Sequence, residues 1–435
     1  MNLRRIIYVA AFLVVLALAI AIAAYNMYGA FGLTPIPPGR MSVLTYIGLK
    51  DLQRGALTSE ALKAPALLAY ALGRAGLGDF AAVEASAAMF FAAIPLSGGL
   101  FAWLATKSKL VGGTTAILLS LLPLTYLSAI GGDYSFVSVL ALVQGAALFS
   151  LLFIKGRRAP LLALWLALAS VIAWLAGLTV ASASWVLFLT GAAWAAYSVV
   201  KMRRAGGALV ILPGIFALGA NLVFAPPGPE EALRLISPLS TLPQYVSLLA
   251  LVGVAAAAGG AVIAYRLRWE SVPVFAFVGS GLVLVPFYWA EALLLVFPGL
   301  VLLTMQPLVD PKRVARVLRE AGPEGAESTV VELDTEKLAA VAFALLVLSS
   351  PLVVGFGPGS AVQGTNYLGN EELKALSEVQ ALNSSLFGQG LVAAPSSIAP
   401  WLRAEQGVNT LLALSPNDSA LADAITSTSF RLRNS

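Results

Sequence analysis

The sequence predicts a polytopic α-helical membrane protein, and three observations carry that prediction. Of 435 residues, 59% are apolar and only 11% charged, with a mean hydropathy of +0.86, whereas a soluble domain carries about 25% charge. Apolar runs recur that are long enough to cross a hydrocarbon core of about 30 Å, which takes roughly 20 helical residues. Short basic clusters separate these runs and fall in alternate gaps. Cysteine and histidine are both absent. Their absence removes disulfides, thiolate zinc sites, haem ligation and imidazole catalysis, and leaves chemistry to carboxylates, hydroxyls, Lys, Arg and backbone.

Eleven spans are expected, near 6–25, 81–105, 110–130, 135–154, 159–178, 181–200, 206–224, 243–264, 271–287, 291–309 and 338–356. The first follows Met-Asn-Leu-Arg-Arg and reads as an uncleaved span, because its apolar run exceeds the roughly 7–15 residues of a signal-peptide core. The basic clusters are Arg4-Arg5, Lys107 with Lys109, Lys155 with Arg157-Arg158, Lys201 with Arg203-Arg204, Arg266 with Arg268, and Lys312 to Arg319. The positive-inside rule makes those loops and the N-terminus cytoplasmic and the region after 356 extracytoplasmic, in a plasma membrane. The net charge of +5 and pI of 9.4 are then topology and imply no nucleic-acid partner. Trp103, Trp165, Trp185, Trp269 and Trp289 fall near span ends, where an amphipathic ring is favoured.

Three stretches break the rhythm of spans and short loops. Residues 26–80 form a large outer loop that opens Gly32-Leu-Thr-Pro-Ile-Pro-Pro-Gly39 and continues as two amphipathic helices, about 42–54 and 59–74. Val43, Leu44 and Ile47, then Leu67, Leu68, Ala71 and Leu72, recur at helical spacing, while Lys50, Asp51, Arg54, Lys63 and Arg74 can face water. Such helices lie along a membrane surface. Residues 310–337 read as a cytoplasmic connector with a basic and then an acidic half. The tail, 357–435, has ordinary polar composition, with helices at 371–382 and 396–405 and strands at 390–394 and 409–414. Strand, helix, strand implies a small parallel α/β unit, so the chain divides into a transmembrane part, 1–356, and an extracytoplasmic tail. The chain stops at Phe430-Arg-Leu-Arg-Asn-Ser435 in what reads as the middle of a domain. Asn383-Ser-Ser385 and Asn417-Asp-Ser419 are glycosylation sequons on that tail, and Gly355-Phe-Gly-Pro-Gly359 is a flexible exit from the last span.

Ionisable residues inside spans are expensive and mark function by default. Glu84 and Glu291 qualify, both near the outer end of their helix, and Asp133, in Gly131-Gly-Asp-Tyr-Ser135, lies in an outer turn. The three acids fall on one side at one depth, with no polar group expected at the midplane. That fits an outer-face site better than a path through the membrane. Each acid also has a structural explanation: Asp133 as an N-cap, Glu84 and Glu291 as partners of a helix dipole.

With an outer loop after span one, a Gly-Asp-Tyr turn after span three and an extracytoplasmic α/β tail, the chain resembles the GT-C class of membrane glycosyltransferases. It is most similar in this order of elements to archaeal members related to the oligosaccharyltransferase catalytic subunit and the protein mannosyltransferases. The resemblance implies transfer of a sugar from a polyprenyl-phosphate carrier at the outer face, as in protein glycosylation, with membrane lipids and a lipid-linked donor as partners. It implies a catalytic role for Asp133, which matches the second acidic position of the class, and Mg²⁺ or Mn²⁺ on oxygen ligands such as Asp133; Glu84 and Glu291, as acids within spans, are the other candidate catalytic residues. Arg40, Arg54, Arg74 and Arg234, with Lys50 and Lys63, are the outer cations available for a lipid phosphate. The chain departs from the class where an Asp usually stands, at or beside Met41; here Arg40 and Met41 occupy the place and the nearest acid is Asp51. A Trp-Trp-Asp motif is also missing from the tail.

These features leave three readings: a GT-C-like transferase or inactive relative, a non-catalytic lipid- or glycan-binding protein of envelope assembly, and a secondary transporter. Because the chain lacks cysteine, its topology can be tested with single introduced thiols. A Thr34→Cys variant should react with a membrane-impermeant maleimide in intact cells, and a Lys107→Cys variant only after permeabilisation. The reverse pattern would invert the assigned orientation.

Overall fold

The computed structural model describes residues 3–31, 42–58, 60–121, 134–156, 158–201, 203–224, 272–309, 392–393 and 410–411. Its helices are α1 (Leu3–Phe31), α2 (Ser42–Gln53), α3 (Ala64–Arg74), α4 (Asp79–Thr106), α5 (Lys109–Leu121), α6 (Tyr134–Lys155), α7 (Ala159–Thr179), α8 (Ala181–Val200), α9 (Leu212–Phe224) and α10 (Val272–Val309), with a 3₁₀ turn over Ala205–Ile211. Five stretches are long and apolar enough to cross a membrane: Asp79–Thr106, Val137–Lys155, Ala159–Thr179, Ala181–Val200 and Gly206–Phe224. The spans expected at 243–264 and 338–356, the second half of the one at 110–130, the connector 310–337 and the tail helices lie outside the described residues.

Three expected spans take a form that the sequence does not show. The run 206–224 begins as a 3₁₀ turn and becomes α-helical only at Leu212. Gly206 and Gly207 are poor α-helix formers, and Pro213 is favoured in a first helical turn. Residues 271–287 and 291–309 form one continuous helical assignment, α10, of 38 residues. A straight helix would put Val278 and Gly299 about 30 Å apart. Instead, a Cβ placed on Gly299 would stand 2.7 Å from Val278 Cγ2. The chain therefore folds back between these residues, and α10 is not one straight rod.

Basic residues gather at one end of the bundle. Lys155 donates to the carbonyl of Leu104, and Arg204 donates to the carbonyls of Ile154 and Gly156, each at 3.3 Å. Three of the clusters in alternate gaps thus meet where helix C-termini expose carbonyls, the location the macrodipole favours for cations. Thr179, at the far end of α7, belongs to the opposite end.

Small residues set the packing between. A Cβ on Gly99 would stand 2.8 Å from Ala116 Cβ, and one on Gly112 would stand 2.8 Å from the Gly99 carbonyl oxygen, so α4 and α5 touch backbone to backbone. A Cβ on Gly177 of α7 would stand 2.2 Å from the Ala217 carbonyl oxygen of α9, and one on Gly214 of α9 would stand 2.4 Å from Phe188 Cα of α8. Close approach of this kind replaces the hydrophobic driving force that lipid cannot supply. Larger side chains fill the remaining core. Phe101 stacks on Trp194 and meets Phe277 at a tilt of 56°, and the Trp194 indole N–H is satisfied by the Pro273 carbonyl at 2.8 Å.

One polar feature contradicts the sequence expectation of a midplane without polar groups. Gln144, near the middle of α6, is 2% exposed and accepts from the Ser97 hydroxyl at 3.3 Å. A Cβ on Gly98 would lie 2.8 Å from its Oε1. The expectation considered charges, but a neutral amide costs far less in hydrocarbon and can be held by one neighbouring hydroxyl.

In the tail, Val392–Ala393 and Thr410–Leu411 pair in parallel, Val392 against Thr410 and Ala393 against Leu411. Both pairs lie inside the two expected strands, and parallel pairing requires a crossover of about a dozen residues or more.

Gly177 of α7 and Gly219 of α9 separate contact from propensity. Gly177→Ala must force α7 off Ala217 and should cost about 1–3 kcal/mol. Nothing lies within 4 Å of a Cβ at Gly219, so Gly219→Ala should be neutral or stabilise by about 0.5–1 kcal/mol. Thermal unfolding in detergent followed by tryptophan fluorescence should rank them in that order.

Candidate functional site at the end opposite the basic clusters

The segment 42–78 folds as a layer on the end of the bundle. Tyr46, Ile47 and Leu49 of α2 are buried, with Tyr46 stacked on Phe80 at the start of α4 (centroids 4.8 Å apart, planes 10° apart). In α3 the buried face is Ala64, Pro65, Ala66 and Ala69. The expected face of Leu67, Leu68, Ala71 and Leu72 is instead half-buried, with Ala71 exposed. Small residues win the inner face because α3 must lie close to its neighbours: Ser86 of α4 donates to the Pro65 carbonyl at 2.9 Å, and the Ala64 amide donates to Thr179 Oγ1 at 3.1 Å. These two helices spend their inner faces on protein rather than on lipid.

Charge fixes the layer in place. Asp79, the first residue of α4, accepts from Lys50 Nζ at 2.6 Å and from Gln53 Nε2 at 2.7 Å. Lys50 also lies 5.2 Å from the centre of the Tyr46 ring. Asp51 accepts from the Thr58 hydroxyl at 2.7 Å, and Thr58 in turn accepts from the Ala61 amide at 3.2 Å. Glu60 and Lys63, 4% and 8% exposed, form an ion pair. Lys63 was expected in water; it is buried because Glu60 gives it a counter-charge three residues away. Gly48 makes room for this turn, since a Cβ there would stand 2.4 Å from the Glu60 carbonyl oxygen.

The expected site residues are distributed as follows. Glu84 sits on α4, five residues in from Asp79, half-buried, and has no hydrogen-bond or ionic partner among the described residues. Glu291 lies on α10 between Val278 and Gly299, in the stretch where the chain reverses. Arg54 directly follows α2 and Arg74 ends α3, and both are exposed. Asp133, Arg40 and Arg234 lie outside the described residues. Among the described residues no three acids gather to hold a metal ion.

Sequence reasoning passed over Asp79, Gln53 and the Glu60–Lys63 pair. A signal for Asp79 existed: an acid just after Gly76-Leu-Gly78, ahead of a long apolar run, is a helix-start residue. Its partners come from a helix 26 and 29 residues earlier, a distance that periodicity does not bridge. The pair Glu60–Lys63 is readable as an i,i+3 pairing, but its burial is not. Removing one partner of a buried pair costs about 3–5 kcal/mol because it leaves the other charge buried and unpaired, whereas replacing both costs much less. Lys63→Met should therefore lower thermal stability more than the double variant Glu60→Gln/Lys63→Met.

No protein-family model matches the chain, and no curated protein matches it. Among solved structures the chain is similar to the oligosaccharyltransferase of Archaeoglobus fulgidus, whose crystal structure is a complex with Zn and sulfate. The TM-score is 0.57 at 13% sequence identity, over 92% of this chain and 62% of that one. The chain thus spans less than two thirds of the length of that enzyme. The likeness shows the fold: this chain shares the helical membrane architecture of an archaeal oligosaccharyltransferase.

Proposed function

We propose that the chain is a GT-C-like membrane glycosyltransferase that transfers a sugar from a polyprenyl-phosphate donor at the outer membrane face. The observation that carries this reading is the likeness of fold to an oligosaccharyltransferase over 92% of the chain. The orientation follows the basic clusters, with N-terminus and basic end cytoplasmic, and the 42–78 layer and tail outside.

The chemistry is displacement at the anomeric carbon. The acceptor's nucleophilic oxygen or nitrogen forms the new glycosidic bond, the bond from anomeric carbon to phosphate oxygen breaks, and the polyprenyl phosphate leaves with the electron pair. A carboxylate that takes the acceptor's proton contributes about 10²–10⁴-fold. The described acids differ in fitness for that task. Asp51, Glu60 and Asp79 are engaged by Thr58, Lys63 and the pair Lys50 and Gln53, whereas Glu84 is committed to no described partner. Glu84 is the described candidate base, with Asp133 and Glu291 as its proposed companions. Mg²⁺ or Mn²⁺ would be held through Asp133 and would stabilise the charge of the leaving phosphate.

A second reading, non-catalytic binding of a lipid-linked glycan, is favoured by one observation. Every described acid of the 42–79 segment is tied into the layer's own bonding, and Arg40-Met41 stands where the class places an acid. Purified protein incubated with polyprenyl-phosphate sugar, acceptor and divalent cation separates the two. Turnover should fall at least about 100-fold in Glu84→Gln and in Asp133→Ala if these carboxylates act in proton transfer. Unchanged turnover sinks the assignment of the residue concerned. Donor binding without turnover in the unaltered protein establishes the second reading.

A further inference from the structure

The outer rim of the 42–78 layer carries the same feature twice. Helix α2 runs out into Arg54-Gly-Ala-Leu57 and helix α3 into Arg74-Ala-Gly-Leu77. In each turn the glycine has positive φ, 75° at Gly55 and 107° at Gly76, where an L side chain would be strained. The Ala56 amide donates to the Asp51 carbonyl at 2.8 Å and the Leu77 amide to the Leu72 carbonyl at 3.3 Å, the long bond of a Schellman ending. Such endings commonly turn an apolar side chain back onto the helix. Here the leucines stay outside: Leu57 is 75% exposed and Leu77 42%. Residues 53–57 and 74–78 form two exposed strips, and the bond from Gln53 to Asp79 ties the first strip to the residue that follows the second.

The depth of this rim follows from α4. Its 28 residues span about 42 Å, which matches the roughly 40–45 Å of a bilayer including headgroups. Asp79 begins that helix and so lies in a headgroup layer, and the two turns lie beside it. We propose that the paired turns are an interfacial anchor, with Leu57 and Leu77 immersed in lipid and Arg54 and Arg74 set against the phosphates of anionic headgroups. Leucine below and guanidinium above is the order an interface favours, and the positive charge selects anionic lipid. This assigns Arg54 and Arg74 to bulk headgroups and is independent of any transferase activity.

The chain without cysteine makes the test direct. Leu57→Cys and Leu77→Cys variants of the full chain carry a nitroxide in nanodiscs of phosphatidylcholine alone or mixed with phosphatidylglycerol, with Leu164→Cys on exposed α7 as lipid reference. At positions 57 and 77, collision with oxygen should exceed collision with a water-soluble nickel chelate. That excess should grow with phosphatidylglycerol and be lost when Arg54→Gln and Arg74→Gln are added, while the Leu164→Cys reference stays unchanged. Nickel collision in excess at both positions places the rim in water and overturns the proposal. Exclusion of both reagents shows a protein cover and overturns it too. An oxygen excess indifferent to phosphatidylglycerol and to the arginines overturns the assignment to anionic headgroups.

Discussion

The cost of placing charge in hydrocarbon governs the rest of this structure. A bilayer core offers no water to an ion, so charged residues are driven to the two ends of the bundle or are neutralised by partners. At one end the result is a basic surface where Lys155 and Arg204 hold carbonyls at the C-terminal ends of neighbouring helices. At the other, acids and cations pair among themselves: Asp79 with Lys50, and Glu60 with Lys63. The same rule that fixes topology therefore also supplies the bonds that fasten an extramembrane layer to the helices beneath it.

Between the ends, helices must associate without a hydrophobic driving force, and the glycines do this by contact. Gly99 with Gly112, and Gly177 and Gly214 with backbone of their neighbours, bring helix axes close enough for dispersion to accumulate. Gln144 adds direction to that packing. Its Oε1 accepts from the Ser97 hydroxyl only when α4 and α6 stand at the observed height relative to each other, while its Nε2 is buried with no hydrogen-bond partner among the described residues. Gly98, across from it, leaves the space the amide occupies. Neutral polarity thus does inside the membrane what ion pairs do at its edge.

The outer layer links packing to function. Three of its acids are consumed in holding α2, the 54–63 turn and the start of α4 together, and a carboxylate held by a lysine or a hydroxyl is a poor proton acceptor. Glu84, one and a half turns further down α4, has no such duty among the described residues. The layer therefore separates carboxylates engaged in structure from Glu84, which has no described partner.

How much of this was legible in the sequence follows the range of the forces involved. The spans at 79–106, 134–155, 159–179 and 181–200 and the helices α2 and α3 were readable to within a few residues, because hydropathy and helical period act over neighbouring residues. So were the two tail strands, and the location of Glu84 near the start of its helix. What escaped were features made by residues far apart in the chain. The buried face of α3 was misread because side-chain size against a partner, not hydropathy, selects alanine there. The burial of the Glu60–Lys63 pair goes with the close approach of α2, at Gly48, to the Glu60 backbone. The polar contact at Gln144 required α4 beside α6, and the capture of Asp79 required α2 folded back over α4. The sequence alone thus determined the class of protein, the apolar lengths and the sorting of charge, since these answer to water and lipid. Tertiary structure decided which acids are engaged and which remain available, since that depends on which helices are brought into contact.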